Sequence, residues 1–497
     1  MKRVRLALVG CVLGLVLTVA LVAPPVATAD SVGYLDNGVI RVGVDMGKGG
    51  TITYISRSGS GLNVVNSWDL GREVQQSYYS GPDNFGNPAP PWANFPWNPI
   101  GAGDTYRNPA TVLEQSNDGT TIYTKTAPLQ WALNHVPCEC LVEQWIRLDG
   151  NAVSVRNRLT NSRADQTQYH AYGQELPAVY TNGTFWRLFS YVGAAPYTNG
   201  PLTQIYSSLP DAKQWQATEH WSALVDDSGF GLGVFNSFAT RFGGFFSGTA
   251  HIGGPSDEFT GYLGPNIQEI LDWNIVYQYD YALVLGTLDQ IRGYAYAHRA
   301  DDRPNYQFVR DRQHFWYFDA SDAGWPIVGA LHVRLDQSDP QLWGPEQWWE
   351  ASKIPSLTIK AAYHTSDTQA QLFWSVPDQG FSEERSVRFT ARPDGRYHSY
   401  KLNLAASPAY KGTITGIRFD PSNGQDAAGV VDIASITWRP AVTPAKKNSP
   451  VCKKGQKSTK TKPCLKRRRA TDATVTAASR TPNPIANRRA QRRRRAT

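Results

Sequence analysis

An all-β fold built from two successive sandwiches is what this sequence predicts, and three observations carry that expectation. The 497-residue chain holds 16 Trp, 24 Tyr and 18 Phe but only 2 Met. Its 43 Gly and 32 Pro cut it into short runs. Within many of those runs apolar and polar residues alternate with the period of two that a half-buried strand requires. Aromatic weight together with frequent turn residues favours sheets over helical bundles.

The elements follow in order. Met1-Lys2-Arg3-Val4-Arg5 is basic, Leu6 to Val22 is apolar, and Ala27-Thr28-Ala29 is a small-x-small triplet. That order matches a secretory signal peptide over 1–29, so the remaining chain is expected to be exported, with no transmembrane span after cleavage. Residues 30–303 read as one large β-domain. Tyr34 to Val42 is a hairpin start turned by Asn37-Gly38, and Thr51 to Ile55 is a short strand. Val142 to Leu148 and Ala152 to Leu159 form a hairpin through Asp149-Gly150-Asn151. Gly229 to Phe235 alternates small and large residues as a closely packed core strand does. A short helix near Thr287 to Ala297 closes the domain. Ser80 to Arg107, dense in Pro, Gly, Asn and Trp, reads as a long ordered loop, either functional or a cover for a sheet edge.

Residues 304–440 predict a second β-domain. Strand candidates are Phe315–Phe318, Leu357–Ala361, Ala370–Trp374, Ser386–Phe389, Tyr397–Leu402, Ile414–Phe419 and Val430–Ile436, separated by turn signals at sandwich-like spacing. Residues 441–497 carry almost no apolar side chains and are expected to be a disordered basic tail.

Charge is unevenly placed. The whole chain has 50 basic and 42 acidic residues, net +8. The tail holds 18 basic and one acidic residue and the first 29 residues hold three basic ones, which leaves −12 for 30–440. Bulk charge therefore disfavours nucleic acid as a partner of the folded part. Lys466–Arg469 and Arg492–Arg495, on an exported chain, point instead to anionic cell-surface polymers. Of five cysteines, Cys11 lies in the signal, Cys138 and Cys140 bracket Glu139, and Cys452 and Cys464 lie in the tail, where export would allow them to pair and close a loop. No spacing resembles a zinc site.

Two polar runs stand out within strand-like sequence: Gln168 to Glu175, containing His170 and Tyr172, and Thr218-Glu219-His220-Trp221. His and Glu pass protons near neutral pH, and aromatic rings stack on sugar faces. His170, Glu175 and Glu219 are the catalytic candidates. Tyr172, His220 and Trp221 are candidate substrate contacts, with Asp69 and Arg72 as a clamp for hydroxyls or a uronate and Trp97 as a cleft wall. In an unbroken strand His170 and Glu175 point to opposite faces, so a bulge at Gly173 would be needed to unite them. Each residue also has a structural reading, as a core ring or an ion-paired carboxylate. Trp343, Trp348 and Trp349 fit either a sugar platform or packing between the domains.

Arg156 to Asn161, followed by Tyr169-His170-Ala171-Tyr172-Gly173-Gln174, resembles the galactose mutarotase-like supersandwich, in which a strand ending Leu-Thr-Asn precedes a His. Asn66 to Arg72 lies roughly where mutarotases place a sugar-contacting Asn-x-Arg. The resemblance covers about 33–300. Gln174 to Tyr180 and Glu219-His220-Trp221 depart from true mutarotases and look more like the secreted, hydrolase and lyase branches of the superfamily. Residues 308–440 resemble a carbohydrate-binding jelly roll, through Phe318-Asp319 to Gly324-Trp325, Ala370 to Trp374 and Gly412 to Pro421. That second resemblance implies a structural Ca²⁺ held by Asp319, Asp322 and Asp432. No cofactor is implied for catalysis. The combined expectation is a secreted or cell-surface protein that binds a polysaccharide or oligosaccharide and cleaves it by acid/base chemistry, as a glycoside hydrolase or lyase. The alternatives are a non-catalytic, cell-wall-associated glycan binder and a sugar epimerase.

Overall fold

The structure, a computed structural model, describes residues 31–299 and 301–438. The expected signal peptide, the basic tail and a Cys452–Cys464 pairing fall outside the described residues. Two large antiparallel sheets are built from residues 32–287. One has ten strands, and its main path begins with Val32–Asp36 and Ile40–Asp45 and passes through Tyr172–Asn182 and Thr260–Glu269 to Arg241–Ser247 and Lys213–Gln216. The other has nine, with Val276–Thr287 between Phe230–Phe235 and Ala152–Asn161.

The sheets are held face to face by one apolar layer. Val42, Val44, Ile52, Val179, Leu263 and Phe242 from the ten-stranded sheet meet Ile146, Val153, Val155, Leu224, Val234 and Leu283 from the nine-stranded one. The Asp149-Gly150-Asn151 turn sets the register of its hairpin, with Ala152 opposite Asp149 and Asn161 opposite Cys140. Gly150 there has φ +54°, a conformation glycine adopts without steric cost. The helix, Leu288–Ala297, starts at a capping box in which Thr287 and Gln290 satisfy each other's backbone N–H groups. It lays Ile291 and Ala295 onto Trp221, Ala223, Val225, Phe235 and Val284, and so covers the outer face of the nine-stranded sheet. Cys138 and Cys140 are joined by a disulfide.

Residues 305–438 add two five-stranded antiparallel sheets. Their inner faces share a core that includes Tyr363, Ile359, Val431 and Ile433 on one side and Leu372, Trp374, Ile417 and Phe419 on the other. All seven strand runs expected in this region form, with Ile414–Phe419 divided into Thr413–Ile414 and Gly416–Asp420. Leu331–Arg334 and Gln341–Trp343 are strands that composition did not signal.

The two sandwiches belong to one compact unit and meet through a dry ionic rivet. Arg312, fully buried, donates from Nε and Nη2 to Asp322 at 2.7 Å each, and its Nη2 lies 2.5 Å from Asp272 of the first sandwich. Tyr317 and Gln168 also donate to Asp322. Burial alone would raise the Asp322 carboxyl, but Arg312 and these donors hold it below the usual range. Asp272 has fewer donors, and burial raises it. Ile270, at the end of the first sandwich's long strand, is part of the second sandwich's core.

Candidate functional site

The face of the ten-stranded sheet that turns away from the core is polar and open. Along Thr260–Glu269, Leu263 and Ile267 point inward, so Tyr262, Gly264, Asn266 and Gln268 point outward. Gly243 pairs with Gly264, and Gln216 pairs with Arg241, which extends this strip across Arg241–Ser247 and Lys213–Gln216. At one end the second sandwich faces the strip and encloses a cleft of about 910 Å³. Gln214, Gln216, Arg241, Asn266 and Gln268 form its floor. Trp316, Trp343 and Phe381 contribute an aromatic wall, with the two indoles stacked at 5.0 Å and Phe381 edge-on to Trp343 at 4.9 Å. Glu346 ties wall to floor: it pairs with Arg241 at 2.6 Å and accepts from Gln216 at 2.9 Å.

Glu175 is the one catalytic candidate on this face. It sits opposite Asn266 and Ser77 in the ladder. Tyr79 donates to one carboxylate oxygen at 3.0 Å, and Tyr262 donates to the other. Burial, followed by the negative charge of Glu175, pushes both phenols well above their ordinary pKa, so both stay protonated and remain donors. Tyr180 packs on Tyr262 at 5.0 Å, and Phe95 lies edge-on to Tyr79 at 6.3 Å. Asn266 belongs to both groups, because it faces Glu175 across the strands and also lines the cleft.

His170 does not join Glu175. The irregularity in this strand falls between Glu175 and Val179 rather than at Gly173, so the alternation ahead of Glu175 is intact. His170 is exposed on the preceding loop and stacks on Tyr172 at 4.4 Å. Tyr172 donates to Asp83 at 2.9 Å and to the Gly81 carbonyl, which pins the 80–107 loop.

The second polar run is structural, which corrects the expectation for Glu219, His220 and Trp221. Glu219 is fully buried, with Arg292 donating twice at 2.9 and 3.0 Å. Tyr296, the Tyr197 backbone N–H and Trp221 Nε1 complete its shell. Every lone pair is committed to the helix and its neighbours, leaving nothing for a sugar. Trp221 is buried under the helix, and His220, at φ +64°, is buried against Asp302 at 3.2 Å. Trp97 is likewise a core ring, 1% exposed, below the Arg163 guanidinium. Asp69 and Arg72 pair with each other at 3.6 Å, and Arg72 reaches the Glu258 carbonyl at 2.7 Å, a loop tie rather than a free clamp.

The three aspartates expected to hold Ca²⁺ do not meet. Asp322 is enclosed by Arg312, whose guanidinium takes the place a cation would need. Asp319 accepts from Ser338, and Asp432 lies between His332 and His364. Among the described residues no group of three or more His, Cys, Asp or Glu is arranged for a metal ion. No described helix is long and apolar enough to cross a membrane.

Sequence reasoning missed Arg241 and Glu346, and it missed Tyr262 and Gln268 for a physical reason. Pro265 and two glycines interrupt Thr260–Glu269, and such a run reads as a loop until its neighbours are known. No protein-family model and no curated protein matches the sequence. Solved structures similar to this chain include a galactose mutarotase related enzyme from Lactobacillus acidophilus, at 10% identity and TM-score 0.34 over 51% of this chain and 97% of that one. A galactose mutarotase-like protein from Lactobacillus casei aligns at 11% identity and TM-score 0.34 over 51% and 99%. The 4-alpha-glucanotransferase of Thermococcus litoralis aligns at 12% identity and TM-score 0.30 over 52% and 37%.

Proposed function

We propose that the protein binds a saccharide chain along the open sheet face and into the cleft. The observation that carries this reading is the apposition of an aromatic wall, Trp316, Trp343 and Phe381, to a floor of amides and Arg241. Rings take the apolar faces of sugars, and amides and guanidinium groups take their hydroxyls. Tyr262 and Gln268 are six residues apart on one strand, roughly 20 Å at a strand's rise per residue, so the strip suits an oligosaccharide rather than one sugar. A panel of oligosaccharides on the full chain, read by calorimetry, tests this. A Trp316→Ala, Trp343→Ala double variant is expected to lose about tenfold or more in affinity while keeping its fold. A wild-type protein that retains no glycan, or a double variant with unchanged affinity, overturns the reading.

A second reading, acid/base cleavage of the bound chain by a hydrolase or lyase, is favoured by Glu175 and its two phenol donors. Glu175→Gln would then abolish release of reducing ends or of unsaturated uronate while binding persists. Absence of either product from the wild type across the panel leaves a non-catalytic glycan binder. Export by the N-terminal signal and attraction of the basic tail to anionic surface polymers complete the proposal; cell fractionation with and without residues 441–497 tests them.

A further inference from the structure

We infer that Glu269 and His314 form a proton-donating pair that makes His314 a specificity-determining contact for the ligand in the cleft; this rests on the saccharide reading above. The pair joins the two sandwiches. Glu269 ends the strand whose outward residues floor the cleft, and His314 comes from the loop ahead of Trp316–Phe318. His314 Nδ1 lies 2.8 Å from Glu269 Oε2, and Glu269 is almost fully buried while the imidazole keeps 19% of its surface. A carboxylate on Nδ1 fixes that nitrogen as the donor and leaves Nε2 for another partner. His314 itself lines the cleft.

Two further features set this imidazole apart. His314 and Gln313 both hold positive φ, +62° and +50°, a costly conformation for side-chain-bearing residues. The ring is also clamped, with Phe238 against it at 4.8 Å and Tyr277 edge-on at 6.3 Å. A strained, clamped and carboxylate-oriented imidazole at a cleft wall is an arrangement that fixes one donor direction. The ionisable groups around it are Glu269, Asp311 and Tyr277. Burial alone would lower the imidazole, but the bond and charge of Glu269, with Asp311 behind, raise it above 6.5. Tyr277 is held neutral by burial and Glu269.

In its charged form Nε2–H donates to a saccharide oxygen. A hydroxyl and a uronate carboxylate share that acceptor chemistry, and the carboxylate gains more from a charged donor. Glu269 is a positioning residue that acts through the imidazole.

The experiment measures affinity of the full chain for matched neutral and uronate-containing oligosaccharides from pH 5 to pH 9. Wild type is expected to bind most tightly at low pH and to weaken as pH rises through the raised imidazole value. His314→Gln should flatten that profile and cost about tenfold at pH 5.5. Glu269→Gln keeps the shape and an acceptor for Nδ1–H, so it should move the midpoint to lower pH, a shift that a merely structural contact would not produce. Loss of the pH limb with the uronate ligand alone identifies the carboxylate as the acceptor, and loss with both identifies a hydroxyl. Binding by wild type that is flat with pH, or an unmoved midpoint in Glu269→Gln, overturns the pair and leaves the saccharide reading standing. No binding at any pH overturns both.

Discussion

Glu73 offers the sharpest test of the electrostatics of the open sheet. It lies at the start of Val74–Ser77 with φ +52°, its side chain fully buried, and Lys48 Nζ 3.0 Å from Oε1. Its other carboxylate oxygen has no partner. Burial pushes the carboxyl up from 4.5 to about 8, and Lys48 only partly opposes this. A group whose folded value is raised gives stability that is complete below its unfolded value and is lost as pH rises through the folded one. The wild type should therefore lose stability from about pH 4.5 to about pH 8 through this residue. At 1.36 kcal/mol per unit the full span is roughly 4–5 kcal/mol. Glu73→Gln removes the titration and keeps an oxygen for Lys48. Urea unfolding at a series of pH values should show the variant gaining on wild type by about that amount between pH 4 and pH 9. A difference between the two proteins that stays constant across the range would refute the raised carboxyl.

Arg312→Met should destabilise the protein by about 3–5 kcal/mol at pH 7, because it leaves Asp272 and Asp322 buried without their counter-charge. Part of that loss should return in acid, where both carboxyls protonate, as read by thermal unfolding against pH. Arg292→Met should cost a comparable amount through Glu219, yet leave oligosaccharide affinity unchanged; a fall in affinity with the fold intact would place Glu219 in the site after all. Arg241→Met should weaken glycan binding and free Glu346, with little effect on unfolding, since that ion pair is about 40% exposed.

Much of the architecture was legible because it is written locally. Asp149-Gly150-Asn151 closes its hairpin, Thr287 and Gln290 cap the helix, and alternation in Cys140–Asp149 and Ala152–Asn161 marks inward and outward faces. The site was less legible because burial is decided by distant chain. Glu219 and Trp221 do interact with each other, as their spacing suggests, but Arg292 and Tyr296 arrive from a helix some seventy residues later and seal them in. Glu175 is likewise placed by distant chain. It stays on the open face because the strand that receives it, Thr260–Glu269, presents Tyr262 and Asn266 there. His314 carries no local signal at all: its partner Glu269 is 45 residues earlier, and its ring is placed by a turn rather than by a strand.

The contacts of Arg312 and Ile270 bear on how the chain can be divided. Severing it near residue 303 would strand Asp272 without its guanidinium and strip the later sandwich of an aliphatic plug. The first fragment expressed alone would carry Asp272 without its counter-charge, and the second would carry a raw apolar seam while keeping its Arg312–Asp322 pair. The two halves are therefore expected to stabilise each other, so that the spacing between the tryptophan wall and the amide floor depends on both being present.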